Sequence, residues 1–322
     1  MVSAPPTSLI TNSLFKVSFV DMKKGWAVGK LGKIVHTSDG GKNWESQNSI
    51  TDYNLRGIYF SNDQVGWIVG ERGAILHTTD GGNVWLSQES GTEHHLRDVI
   101  FLDSNKGWIV GEQGVILSTV DGGKHWKERE DLRKLLMVKE SPFLASLFRI
   151  SFVDAQNGWI VGDYGIILHT ADGGQSWKQQ KNGISRLLMT DTFPLLMDVS
   201  FIDSLNGWAV GEQGTILHTS DGGNTWKVQE SGSSYLLNGV TFKDGLNGWV
   251  IGYGTILRTT DGGKHWEVQV KDKKMWLYGI HSGDKENIWV SCDFGEILHS
   301  SDGGGSWAEQ IPMEGVALYQ PK

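Results

Sequence analysis

The chain has 322 residues and a mass of 35.6 kDa, with 43 glycines, 15 tryptophans, 6 prolines and 1 cysteine. That composition excludes a disulfide scaffold and a disordered chain, and it points to tight turns and aromatic packing. A formal charge of -8 and a pI near 5.7 exclude nucleic acid as a general partner, because phosphate binding needs a basic surface; no apolar run is long enough for a direct membrane span.

Residues 1–13 read as an N-terminal tail. Its start, Met1-Val2-Ser3-Ala4-Pro5-Pro6, lacks the charged and apolar regions of a signal peptide. From Leu14 the chain is periodic. Seven aspartates, Asp39, Asp80, Asp121, Asp172, Asp221, Asp261 and Asp302, each stand two residues after a Ser or Thr, two before a Gly and five before a Trp. They are spaced 41, 41, 51, 49, 40 and 41 residues apart, the mark of a repeat architecture. Asp-Gly-Gly between apolar runs predicts a tight hairpin, with glycine at positive φ and the carboxylate accepting backbone amides. Each aspartate lacks a second carboxylate at ligand spacing, so all seven are expected to be structural.

Within a unit four short strands follow one another. In the third unit these are an inner strand at Leu96–Phe101, a second near 108–111, a third near 115–119 and an outer one from Trp126. The inner strands share the pattern Leu-x-x-Val/Ile-x-Phe from unit one to unit six, and the seventh, from Leu277, loses the Phe. A Gly-Trp pair opens the second strand in six units, with Ile288-Trp289 in the last. Strands this short, divided by turn residues, predict repeated antiparallel meanders. One four-stranded sheet cannot bury both faces, whereas seven stacked around an axis can. The fold class is therefore all-β: a seven-bladed β-propeller of four-stranded antiparallel blades over residues 14–310.

The two enlarged gaps place insertions at 127–146 and 178–195. Both carry a basic and apolar element, Arg133-Lys134-Leu135-Leu136-Met137 and Arg186-Leu187-Leu188-Met189. A short helix is expected in the first, with Leu132, Leu135 and Leu136 on one side. Long insertions on a regular scaffold are where binding sits. The expected partner-binding set is Arg133, Leu135, Leu136, Met137, Phe143, Arg186, Leu187, Leu188, Met189 and Phe193, joined on the same face by Arg97 and Arg149 from the inner strands. Leucine and methionine flanked by arginine suit a protein partner. The competing reading has these leucines fold back over the channel mouth. Glu71, Glu112, Asp163 and Glu212 occupy the second-to-third-strand turns of that face and are expected to pair with its arginines. His36, His77, His169, His218 and His299 hold one slot in different blades, so no shared metal is expected, and no cofactor is implied. Cys292 takes a slot held by glycine elsewhere and is expected to be a packed thiol. Residues 311–322 form a C-terminal tail, and either tail is a candidate to close the ring.

Taken together, the Ser/Thr-x-Asp-x-Gly-x-x-Trp element, known as the Asp-box or BNR repeat, and variants of "GWIVGE-x-G-x-ILHT" resemble the photosystem II assembly and stability factors of cyanobacteria and plastids. The resemblance covers residues 14–310 and holds seven times in one register. It implies a seven-bladed propeller that is exported, is not an enzyme, and docks on a membrane-complex subunit during assembly. For non-photosynthetic members it implies a different partner, such as an RND-type transporter. Sialidases also join propellers with Asp-boxes, so a sialidase-like or glycan-binding protein is the alternative. Phe148-Arg149-Ile150 matches their Phe-Arg-Ile-Pro site poorly, with Ser151 for Pro. A cleft gathering three arginines with a paired Tyr and acid would favour it.

Overall fold

Glycine opens the second strand of blades 1 to 6 because an aromatic ring needs its space. The inner strand of each of these blades ends on a Phe that lies over that glycine, and a methyl group on Gly207 would stand 2.4 Å from the Phe201 ring. In five of these six blades the ring also stacks on the tryptophan of the preceding blade, as in Trp159–Phe201 at 3.5 Å and Trp208–Phe242 at 3.5 Å; at blade 4 the preceding tryptophan, Trp108, instead meets Trp177 edge-on at 6.0 Å. The Trp that ends the aspartate turn meets the same Phe edge-on, as Trp226 does at 5.8 Å. One repeated residue set thus builds both the blade and its seam with the next.

The structure, a computed structural model, describes residues 13–138, 142–184, 193–270 and 274–310. These form seven four-stranded antiparallel sheets, each from four consecutive strands in the order inner, second, third and outer. Blade 3, for example, comprises Leu96–Phe101, Gly107–Gly111, Ile116–Thr119 and Lys127–Glu128. Blade 7 meets blade 1 by the same seam contacts. Trp289 stacks on Phe19 at 4.0 Å and donates to the Gly40 carbonyl at 3.3 Å. Ring closure by a tail would involve residues 1–12 or 311–322, which lie outside the described residues.

The aspartates serve the turns. In blade 4, Thr170 Oγ donates to Asp172 at 2.8 Å and accepts from Gly174 N at 2.9 Å, while Ser176 N donates to the same carboxylate at 2.9 Å. Hydrogen bonds from the Ser176 hydroxyl and amide hold Asp172 down at about 2, so it stays ionised. The turn also reaches its neighbour, because the Gly222 carbonyl of blade 5 accepts from Trp159 Nε1 at 3.4 Å and Gln180 Nε2 at 2.7 Å of blade 4. The turn motif alone does not announce this seam role.

The slot histidines lie against the second-strand tryptophans, with ring centres 4.7 to 4.8 Å apart in five blades. Burial lowers the pKa of all five. Burial, aided by Lys243 and Lys16, also pushes His281 down to about 4. Below the unfolded value of 6.5 the unfolded chain takes up protons that the folded one refuses. These groups therefore leave stability intact above pH 6.5 and erode it as the pH falls toward 4. The melting temperature is expected to drop between pH 7 and pH 5, and His281→Gln should make the drop shallower; a flat profile would contradict this.

Candidate functional site

Every inner strand carries one extra residue at its second position. In blade 1, Leu14 faces Gly29 and Lys16 faces Val28, which leaves Phe15 without a ladder partner. The same shift leaves out Arg56, Arg97, Phe148, Met197, Asn238 and Tyr278 in the following blades. Such bulges re-aim side chains. Here all seven are brought together around the axis, where they line one cavity of about 310 Å³ with Arg149, Leu236 and Trp276. The cavity opens on the face of the second-to-third-strand turns and of the loops between blades. Among the described residues that line it, three of ten are arginines and none is itself a carboxylate.

Behind the rim lies a charged network built from the third inner-strand position. Lys16 pairs with Asp98, and Arg149 donates to Asp198 at 2.8 Å while standing 3.6 Å from Asp98. The carboxylates also accept backbone amides of the next blade, from Ile150 at 3.2 Å and Val240 at 2.9 Å. Burial raises Asp198, with Arg149 opposing, and burial and the nearby Arg149 lower Lys16 against the pull of Asp98. The rim arginines are oriented as well. Arg56 donates to Glu71 at 2.9 Å and stacks over Phe15 at 4.1 Å, while Arg97 pairs with Glu112 and lies over Phe148 at 5.7 Å. Each guanidinium has further N–H donors for a ligand. On the other side Tyr278 donates to Asp293 at 2.9 Å, and burial with that bond pushes its phenol up, so it remains protonated.

Of the residues expected at the site, Arg97 and Arg149 line the cavity, Arg149 being largely buried. Glu71 and Glu112 pair with arginines as expected, whereas Asp163 and Glu212 accept the amides of Ser146 and Leu195 instead, at 2.9 and 3.0 Å. The first insertion forms a 3-10 helix at Glu130–Leu135. Leu136 does not belong to an exposed patch. It is 0% exposed and packs with Leu132 and Ala145 into the core, because the turn at Gly114 needs an apolar cover. Leu135 is half-buried against the same cluster, and Arg133 pairs with Glu128 at 3.0 Å. Met137 and Phe143 are 73% and 62% exposed. Phe193 is half-buried beside Gly165. Arg186, Leu187, Leu188 and Met189 lie outside the described residues. Sequence reasoning missed the ring as a whole. Part of its signal was present, since the second position of Leu-x-x-Val/Ile varies from Phe to Arg, Met, Asn and Tyr while the Leu and Val/Ile anchors of the pattern stay apolar.

The geometry can hold an anionic or polar group among aromatic walls, and known proteins share the frame around it. A structure described as YCF48 bound to D1 peptide is similar at 22% identity, with a TM-score of 0.71 over 92% of this chain and 99% of that one. YCF48 from Cyanidioschyzon merolae is similar at 23% identity and a TM-score of 0.72, over 92% and 97% of the two chains. A GH74 xyloglucanase from Xanthomonas campestris shares the fold at 11% identity and a TM-score of 0.70, over 94% of this chain and 54% of that one. No curated protein sequence matches the chain. The model of the family described as Photosynthesis system II assembly factor YCF48 matches residues 7–90, 83–183 and 184–312. With all seven blades inside those matches, the chain belongs to the photosynthesis system II assembly factor YCF48 family.

Proposed function

We propose that this protein is a non-catalytic docking scaffold that takes a segment of a membrane-complex subunit into the axial mouth. The observation that carries this reading is the ring of seven bulge residues around one cavity on the face that also bears the first insertion. A rigid ring presents these side chains with little ordering cost on association. Membership of the family supports a protein partner, and so does the relative described as bound to a D1 peptide. Met137, Phe143 and Phe193 serve the same face as further contacts, and docking takes place outside the cytoplasm. Fractionation of a tagged chain tests the last point.

A photoreactive phenylalanine analogue at Met197 is expected to crosslink one membrane subunit in solubilised native membranes, while the same group at Leu205, on the opposite face, does not. Arg56→Gln with Arg97→Gln is expected to weaken that capture at least about tenfold without unfolding the ring. Equal crosslinking from both faces would reject the site. Mass identification separates an assembly intermediate from a transporter subunit.

A second reading is favoured by one observation: three arginines and the Tyr278–Asp293 pair do gather at the mouth. That set suits a carboxylated sugar. Against it, Tyr278 is held protonated by burial and by its bond to Asp293. Binding or hydrolysis of a sialoside probe would decide for this alternative.

A further inference from the structure

Five aromatic side chains run in contact from the outer rim into the mouth. Tyr235, in the loop before blade 6, lies 5.7 Å from Tyr253 in the next turn, and Tyr253 lies 4.8 Å from Trp276. Trp276 stands 6.4 Å from Tyr278, which meets Phe15 edge-on at 5.2 Å. Arg56 then caps Phe15 at 4.1 Å. Tyr235 is 54% and Trp276 36% exposed, so the outer part of this ladder is open to solvent.

Two members of the ladder, Trp276 and Tyr278, are held in place by one side chain. Asp293 accepts from Trp276 N at 2.9 Å, Tyr278 OH at 2.9 Å and Ser13 Oγ at 3.0 Å, which ties blade 7 to the start of blade 1. Two features define what fits. The outer ring planes are inclined by 64° and 59°, so neighbouring rings make V-shaped slots and not a flat platform. The inner end carries three arginines, each held by a protein carboxylate on one side and keeping further N–H donors for an anion on the other.

We infer that the ladder binds an extended, proline-containing peptide segment in polyproline II form, with an acidic residue at the end that reaches Arg56 and Arg97. Pyrrolidine rings fill slots between inclined aromatic side chains, and a polyproline II segment enters without large loss of entropy. The guanidiniums take the carboxylate and so set the direction of the segment. The inference rests on the docking face proposed above and gives its partner a chemistry.

The test uses the full chain and an acetylated dodecapeptide with two Pro-x-x-Pro repeats and a Glu pair at one end. Three controls are the same peptide with Pro→Ala, the same with Glu→Lys, and a xyloglucan oligosaccharide, all followed by calorimetric titration. The expected result is binding of the first peptide, weakened at least about tenfold by either peptide change and by Trp276→Ala or Tyr235→Ala. Trp276→Phe should retain most of the affinity, and Asp293→Asn, which loosens the ladder without touching the peptide, should weaken it less. Equal binding of the Pro→Ala peptide, tighter binding of the oligosaccharide, or unchanged affinity in both ring variants would overturn the inference. If crosslinking from Met197 persists in that case, only the peptide class falls; if it is also lost, the docking face falls with it.

Discussion

Replacing Arg149 with methionine is expected to lower the unfolding free energy by about 3–5 kcal/mol, the range for breaking a buried ion pair by removing one partner. Arg149 stands between Asp98 and Asp198, two buried carboxylates on blades 3 and 5, and it is the charge they share. Asp98 keeps Lys16, but Asp198 has no other basic side chain within ion-pair distance among the described residues. Its remaining partners are the amides of Val199 and Val240, which orient an anion without neutralising it. Methionine fills similar volume, so the loss measures charge and not a cavity. Adding Asp198→Asn should recover more than half, since an amide oxygen can still accept from Val240. Chemical denaturation of the two variants checks this. A loss under about 1 kcal/mol for Arg149→Met would mean the network behaves as a solvated surface pair.

Truncating Trp159 to alanine is expected to cost about 3–5 kcal/mol, as for large aromatic truncations in packed cores. Trp159 is fully buried, with the Phe201 ring at 3.5 Å on one face and His169 at 4.8 Å on the other. Phe201 belongs to the next blade, so the substitution opens the seam between blades 4 and 5 and also removes the bond to Gly222. Trp159→Phe should cost clearly less, because the stack survives while the indole hydrogen bond goes. Thermal unfolding compared with Val228→Ser, a change on an exposed outer strand, separates seam loss from general fragility. Similar melting temperatures for Trp159→Ala and Val228→Ser would contradict the central role of the stack.

Much of this fold is legible in the chain because a propeller repeats its instructions. Leu14, Val17 and Phe19 recur as one pattern, and the contacts they make lie within a blade or with its neighbour. The seven aspartates are legible as turn residues for the same reason: Thr170, Asp172 and Ser176 satisfy one another within seven residues. The site is less legible. Arg97 and Arg149 fall on the expected side, yet Leu136, expected among the contact residues, covers the turn at Gly114. Hydrophobic sequence alone does not distinguish a side chain that faces a partner from one that closes a loop onto its own blade.

The sequence by itself determined the seven blades, their strand order and the aspartate turns, because each depends on residues close together in the chain. Only the tertiary structure decided what meets at the axis. A bulge of one residue in each inner strand turns Phe15, Arg56, Arg97, Phe148, Met197, Asn238 and Tyr278 toward one mouth. Their convergence is a property of the closed ring and of no single repeat. The aromatic ladder has the same origin: Tyr235 and Phe15 are remote in sequence, and blade 7 standing beside blade 1 is what connects them.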